Sequence, residues 1–260
     1  MKNISVLRFA LVLTVLSLIT VTAQRNNSEK YQMYYSLLEA AVEGKYRPGK
    51  GVAWKPDRLR MLSMNADEIS REVYFVIDTA AVYSPFEGEE QLVLITHTEA
   101  FNPQGEKIND CHACSTTIGA FIFQKDEGKW RLYRGNESLT KAGSFGAQNY
   151  NVAVQPLKYE EFLLIVRSVY SGMGESTETT QLFIGLNLVM QLNTAHSGTY
   201  ITADGEKSFR NTTKIRINND TQTITAVREG TELDAEDKIR RVNKSRSWHY
   251  IDEGYKTWEF

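Results

Sequence analysis

The chain has 260 residues, with 30 Lys and Arg against 32 Asp and Glu and a formal net charge of −2. Its 42% hydrophobic and 24% charged content is that of a folded globular protein, which excludes a disordered or collagen-like chain. The lack of a basic excess speaks against nucleic acid as a partner, and two cysteines are too few for a disulfide scaffold.

Residues 1–23 read as a secretory signal peptide. Lys2 and Arg8 precede the apolar run from Phe9 to Thr20, and Val21-Thr22-Ala23 supplies small residues before a cut at Gln24. The run is shorter than the roughly 20 apolar residues of a spanning helix. Cleavage removes two of the 30 bases, leaving 28 against 32 acids, a net of −4. A secreted or periplasmic protein is expected, with no transmembrane segment after cleavage.

Residues 24–50 form an expected N-terminal helix and linker. Ser28 can cap a helix whose Tyr31, Tyr34, Tyr35, Leu38, Ala41 and Val42 follow one helical stripe, and Gly44 is a natural stop. Such an aromatic stripe reads as core-facing rather than as a cofactor box. Pro48, Gly49, Gly51 and Pro56 then break regular structure, and Asp57 to Met64 can hold one helical turn.

From Glu72 the pattern becomes that of strands. Val73 to Ile77 and Gln91 to Thr96 are short runs rich in β-branched and aromatic residues, separated by turn residues. Ile118 to Phe123 and Trp130 to Tyr133 flank Asp126-Glu127-Gly128 as a hairpin. Phe162 to Val169 and Gln181 to Leu188 flank a second turn at Ser171 to Ser176. Ile215 and Ile217 lead through Asn218-Asn219-Asp220 into Ile224 to Val227. Trp248 to Tyr250 and Tyr255 to Trp258 flank Asp252-Glu253-Gly254 as a last hairpin. The expected fold is mainly β (α+β), an N-terminal helix packed on an antiparallel meander or sandwich-like assembly. Residues 51–197 read as one β-rich domain and 198–260 as a C-terminal antiparallel segment. His196-Ser197-Gly198 marks the boundary if the two are not continuous.

Chemical character concentrates in Asp110-Cys111-His112-Ala113-Cys114-Ser115, which holds both cysteines and one of four histidines. Three readings compete. A redox Cys-x-x-Cys needs the first sulfur at a helix N-terminus, where dipole and free N–H groups stabilise thiolate. Here a strand-like run, Ile118 to Phe123, follows instead of a helix. A zinc or copper site would use Cys111, Cys114, His112 and, from the end of a predicted strand, His97. No second Cys-x-x-Cys, and no pair of histidines three to five residues apart, completes it. The third reading is a local disulfide, which an oxidising compartment favours. Its closed ring is small, so its stabilisation falls below the ~3 kcal/mol of a 15-residue loop.

The run Cys111-His-Ala-Cys-Ser, with Ile118-Gly-Ala-Phe-Ile-Phe123 and Gly128-Lys-Trp130, resembles a segment of uncharacterised exported bacterial proteins. Those carry a Cys-His-x-Cys turn, a Gly-Ala-x-x-Phe strand and a Gly-x-Trp hairpin. The resemblance spans Val93 to Phe145 and implies an extracytoplasmic domain without assigning a catalytic residue.

No G-x-S-x-G, H-E-x-x-H, phosphate loop or dinucleotide fingerprint occurs. The acids at Glu160-Glu161 and from Asp234 to Asp237 read as solvated runs. Lys238 to Arg246 is mildly basic and reads as a protected strand edge or as a surface for an anionic glycan or lipid. Trp248, Tyr250 and Trp258 are candidates for a ligand-binding surface if exposed together. Sequons stand at Asn26, Asn136, Asn211, Asn219 and Asn243. The sequence therefore points to a non-enzymatic binding or interaction module. Its partner, a protein or a glycan, is unnamed by the sequence. On this reading Cys111 and Cys114 are expected to pair as a structural disulfide, with no cofactor. The alternative is a metal-binding or thiol-redox protein.

Overall fold

The computed structural model describes residues 27–54, 72–86, 89–108, 115–143, 149–157, 162–172, 174–202, 205–234, 236, 238–249 and 256–257. One helix, α1 (Asn27–Val42), begins the described chain. Leu38 and Val42 are fully buried, with Tyr34, Tyr35 and Ala41 packed partly around them. Tyr31, at the start of the expected stripe, is instead exposed. The helix stops by a Schellman turn. Glu43 takes the left-handed conformation, with φ 50°, and the Gly44 N–H donates to the Glu39 carbonyl at 3.1 Å. Gly44 is needed for another reason: a Cβ there would stand 2.2 Å from the Ala53 carbonyl oxygen. Among the described residues, no helix is long and apolar enough to cross a membrane.

The rest is β. Strands β1 (Lys45–Arg47), β2 (Gly51–Ala53), β3 (Glu72–Tyr83), β4 (Gln91–Phe101), β5 (Thr116–Asp126) and β6 (Lys129–Ala142) form one antiparallel sheet in sequence order. Strands β7 (Tyr150–Gln155), β8 (Leu163–Gly172), β9 (Glu175–Ile184), β10 (Asn187–Thr202), β11 (Gly205–Asn218), β12 (Thr223–Leu233) and β13 (Ile239–His249) form the second, again in order. The fold is thus mainly β, two antiparallel meanders with a helix packed on the first. The sheets divide between β6 and β7. At His196–Gly198, β10 runs on unbroken, paired with β9 on one side and β11 on the other.

Alternate residues of the central strands bury against different layers. In β4, Leu92 and Leu94 face α1, whereas Val93 and Ile95 join Leu164, Val166 and Phe183 of the second sheet. In β5, Phe121 and Phe123 face the helix while Ile118, Ala120 and Ile122 face the second sheet. Strand β8 repeats the pattern. Leu163 and Ile165, on its far side, pack with Ile224 and Ala226 of β12 and Trp248 of β13. The ladder separates β8 from β12 by several strands, so the second sheet folds back over itself. The first sheet also bends. The Trp54 indole N–H, just after β2, donates to Glu137 Oε2 of β6 at 3.1 Å. In a flat sheet those strands would be about 19 Å apart.

Turns account for the hairpins. Glu127 and Gly128 both take positive φ between Asp126 and Lys129, a type I′ turn whose twist suits the strands. The run Gln181 to Leu188, read above as one strand, is two. Gly185 takes φ 56° between the paired Ile184 and Asn187, and its small size lets a tight turn cut an apolar stretch that periodicity alone would continue.

Among the described residues, the expected final hairpin is not seen, since 250–255 and 258–260 lie outside them. Strand β14 (Lys256–Thr257) lies parallel to β10 at Met190 and Gln191, not against β13. The reason lies in β10: its ladder to β9 skips Val189 and Thr194, and β11 pairs with it only from Ala195 to Thr202. The edge of β10 is free below that fork, and β14 takes it. Asp57 to Met64 lies outside the described residues.

One packing constraint yields a test. Residues 137–139 of β6 lie opposite the single Gly119 of β5. A Cβ on Gly119 would come within 2.8 Å of Thr96 Oγ1 and 3.2 Å of the Glu137 carbonyl. Gly119→Ala is therefore expected to destabilise by about 1–3 kcal/mol, the usual cost of overpacking. A lower urea midpoint at unchanged slope reads this out; a wild-type midpoint contradicts the packing.

Candidate functional site

His97 lies on β4, directly across from Val76 of β3. Two residues further along β3, the ladder skips Asp78: Ile77 pairs with Thr96 and Thr79 with Ile95. The bulge turns the Asp78 carboxylate to the His97 ring, and bulges re-aim side chains in this way. His97 Nδ1 meets Asp78 Oδ1 at 2.8 Å, and Nε2 meets Glu99 Oε1 at 3.0 Å. Glu99 stands two positions on along β4, hence on the same face. Lys107 closes the far side of Glu99 with a short ion pair. From the second sheet, the Tyr150 hydroxyl reaches both Asp78 oxygens at 2.9 and 3.0 Å, and its ring meets His97 edge to face.

These side chains are nearly sealed: His97 is 9% exposed, Asp78 16% and Glu99 15%. Burial alone would push the imidazole pKa down. Hydrogen bonds to Asp78 and Glu99, and their charges, outweigh it and raise the value from 6.5 to about 9. His97 is thus a cation at neutral pH and donates both N–H groups. Its own hydrogen bond to Glu99, ahead of the opposing burial, holds that carboxylate below its usual range. Burial, then the charge of Asp78, pushes the Tyr150 hydroxyl up, so it stays protonated and donates. Two acids and two bases balance across β3, β4 and the loop after β4, and Tyr150 carries the network into β7. The arrangement can lock two sheets together. A general base needs a free lone pair, and His97 has none.

Cys111, His112 and Cys114 lie outside the described residues. On either side of them the described chain runs along β4. The Ile108 N–H donates to the Ala100 carbonyl, and the Thr116 hydroxyl bonds at Thr98. Among the described residues, no cluster of three His, Cys, Asp or Glu side chains is arranged for a metal. Trp248 is 6% exposed and belongs to the core between β8 and β12, so its ring is no surface platform. Apolar neighbours across the ladder, Ile224 foremost, draw it inward. Tyr250 and Trp258 lie outside the described residues.

Lys238 precedes β13, and the rest of the basic run lies on that outermost strand, with Arg240, Arg241, Lys244 and Arg246 all exposed. Asp234 serves the loop before it: Oδ1 accepts the N–H groups of Glu236 and Lys238, each at 2.9 Å. Among the sequons, Asn211 is 1% exposed and donates to the Thr231 carbonyl, so a glycan there is incompatible with the fold. Asn136 and Asn243 are exposed.

Reading the sequence for cysteines and histidines missed Asp78, Glu99, Lys107 and Tyr150. A signal was present: an acid interrupts the apolar β3 run directly after Ile77, and His97 and Glu99 stand two apart in β4. Comparison with family models, with characterised proteins and with solved structures finds no match.

The pH dependence carries a sign. The folded pKa of His97 lies above its ordinary 6.5, so its stabilisation is complete below 6.5 and disappears as pH rises through about 9. The loss is expected to approach about 3 kcal/mol, from 1.36 kcal/mol per pH unit. Glu99, being depressed, loses its share as pH falls through the carboxylate range. Denaturant midpoints of wild type and His97→Gln between pH 6 and 9 measure the first limb. The wild type should weaken across this window and the variant should not. Parallel curves contradict a buried cation.

Proposed function

We propose that this chain is an exported, non-enzymatic binding or interaction module, with Cys111 and Cys114 joined as a structural disulfide and no cofactor. The observation that carries this reading is His97. It is the described histidine nearest in sequence to the cysteine pair, and both its nitrogens are committed to carboxylates. A protonated imidazole held in this way offers no lone pair to zinc or copper. The layered β frame supports the same reading. It uses a nearly buried polar cluster to join two sheets, while residues on the outer faces of β11 and β13 remain open to solvent.

Export rests on the basic, apolar and small-residue order of residues 1–23. The partner is a protein or a glycan outside the cytoplasm. A disulfide at Cys111–Cys114 follows from that compartment and from the spacing. It stays consistent with the likeness of the surrounding run to exported bacterial proteins.

Mass spectrometry of protein recovered from its native compartment tests the whole reading. The N-terminus is expected at Gln24. The mass should be lower by the two hydrogens of a disulfide, with no uptake of an alkylating agent until reduction. Elemental analysis should find no stoichiometric metal. One equivalent of zinc or copper, or a thiol that alkylates without reduction, would establish the metal or redox alternative on Cys111, His112 and Cys114 instead.

A further inference from the structure

A second polar cluster lies at the free end of β8 to β11, remote from His97 in the ladder. Paired residues of an antiparallel ladder share a face. Tyr170, Thr177, His196 and Asn211 pair in one row across these four strands. Gly172, Glu175, Gly198 and Phe209 make the next row, and Tyr200 follows on β10. At ~4.8 Å per strand, each row is about 14 Å wide.

Glu175 sits in the middle of this face between two glycines, each covered by an aromatic side chain. A Cβ on Gly172 would stand 2.9 Å from the Tyr170 hydroxyl, and one on Gly198 2.9 Å from the Phe209 ring. The carboxylate is held from two sides, Oε2 by His196 Nε2 at 3.0 Å and Oε1 by the Tyr200 hydroxyl. Tyr200 stacks on Phe209, and His196 meets the same ring edge to face. Phe209 is buried beneath, but Tyr170 is 55% exposed and the Glu175 side chain 38%. Covering a glycine does not require a tyrosine that exposed. A clamped carboxylate keeps further acceptor lone pairs for solvent, or for a ligand.

We propose that this face binds a neutral saccharide. A pyranose offers an apolar C–H face and, at its rim, hydroxyl donors. Here an exposed tyrosine ring supplies the apolar partner and a fixed carboxylate the paired acceptor. The glycines on both sides of that carboxylate make room for the Tyr170 and Phe209 rings, which places the exposed Tyr170 ring beside the acceptor. The clamps on Glu175 hold the acceptor in place before binding, which lowers the ordering cost. This inference rests on the binding-module reading and names the ligand class for it.

Native affinity electrophoresis of the full mature chain decides it, in gels cast with a mixed-linkage β-glucan, xylan, galactomannan or soluble starch. Wild type should be retarded at least twofold in one of the four. Tyr170→Ala and Glu175→Gln should each restore free mobility, whereas Lys214→Ala, outside the two rows, should not. Free mobility of the wild type in every gel overturns the proposal, as does equal retardation of wild type, Tyr170→Ala and Glu175→Gln. Release of reducing ends in parallel incubations would instead overturn the non-enzymatic reading beneath it. Circular dichroism confirms that each variant is folded before it is scored.

Discussion

Residues 92–95 of β4, 118–123 of β5 and 163–166 of β8 have no solvent face. Each lies between two apolar layers, so each must be apolar at nearly every position, and each backbone group must find its partner within the ladder. The rest of the architecture answers that demand. The helix covers one side of the first sheet through Leu38 and Val42. The second sheet covers the other, then folds back so that Ile224, Ala226 and Trp248 cover its own far side. Bends in both sheets follow from the same need, since flat sheets would leave these layers uncovered.

Polar groups can enter such a stack only where they satisfy one another. The Asp78, His97, Glu99 and Tyr150 network does so at the end of the doubly buried part of β4. Removing these charges from water is costly, and an apolar replacement of the whole set could be equally stable. What the set adds is position. A bulge at Asp78 and a hydroxyl from β7 can meet only when β3 and β7 are correctly placed, so the network favours one arrangement of the two sheets over shifted ones. Removing one member leaves a buried charge without its counterion, which is worse than removing all.

Most elements were legible because their physics is local. The continuous runs from Leu92 to Ile95 and Phe162 to Val166 read as strands, and the Glu127-Gly128 turn announced its hairpin. The helix was visible from Leu38 and Val42, although Tyr31 proved too near the open end to be covered. Less legible were features set by distant partners. Gly185 divides an apolar run because Asn187 pairs with Ile184. Strand β14 chooses β10 because bulges there open an edge, which no residue near Lys256 can reveal. Trp248 resembles a surface aromatic in sequence and is core only because β13 lies over β8. The site was legible in one residue, His97. Glu99 stands beside it on the same strand, but Tyr150 comes from the other sheet, and Asp78 reaches it from β3 through a bulge that the acid after Ile77 only hints at.

The strand order has a kinetic consequence. Every main ladder joins neighbours in sequence, from β1 with β2 through β12 with β13. Contacts so close along the chain close short loops, and such topologies cross low entropic barriers. Each hairpin can therefore form as soon as its second strand exists, in the order of synthesis. Strand β14 breaks the rule. Lys256 must find Met190 after β11 to β13 have folded between them. It must arrive after them and, with two paired residues among those described, is held by the shortest ladder of the second sheet. The open edge of β10 is where partial unfolding would begin.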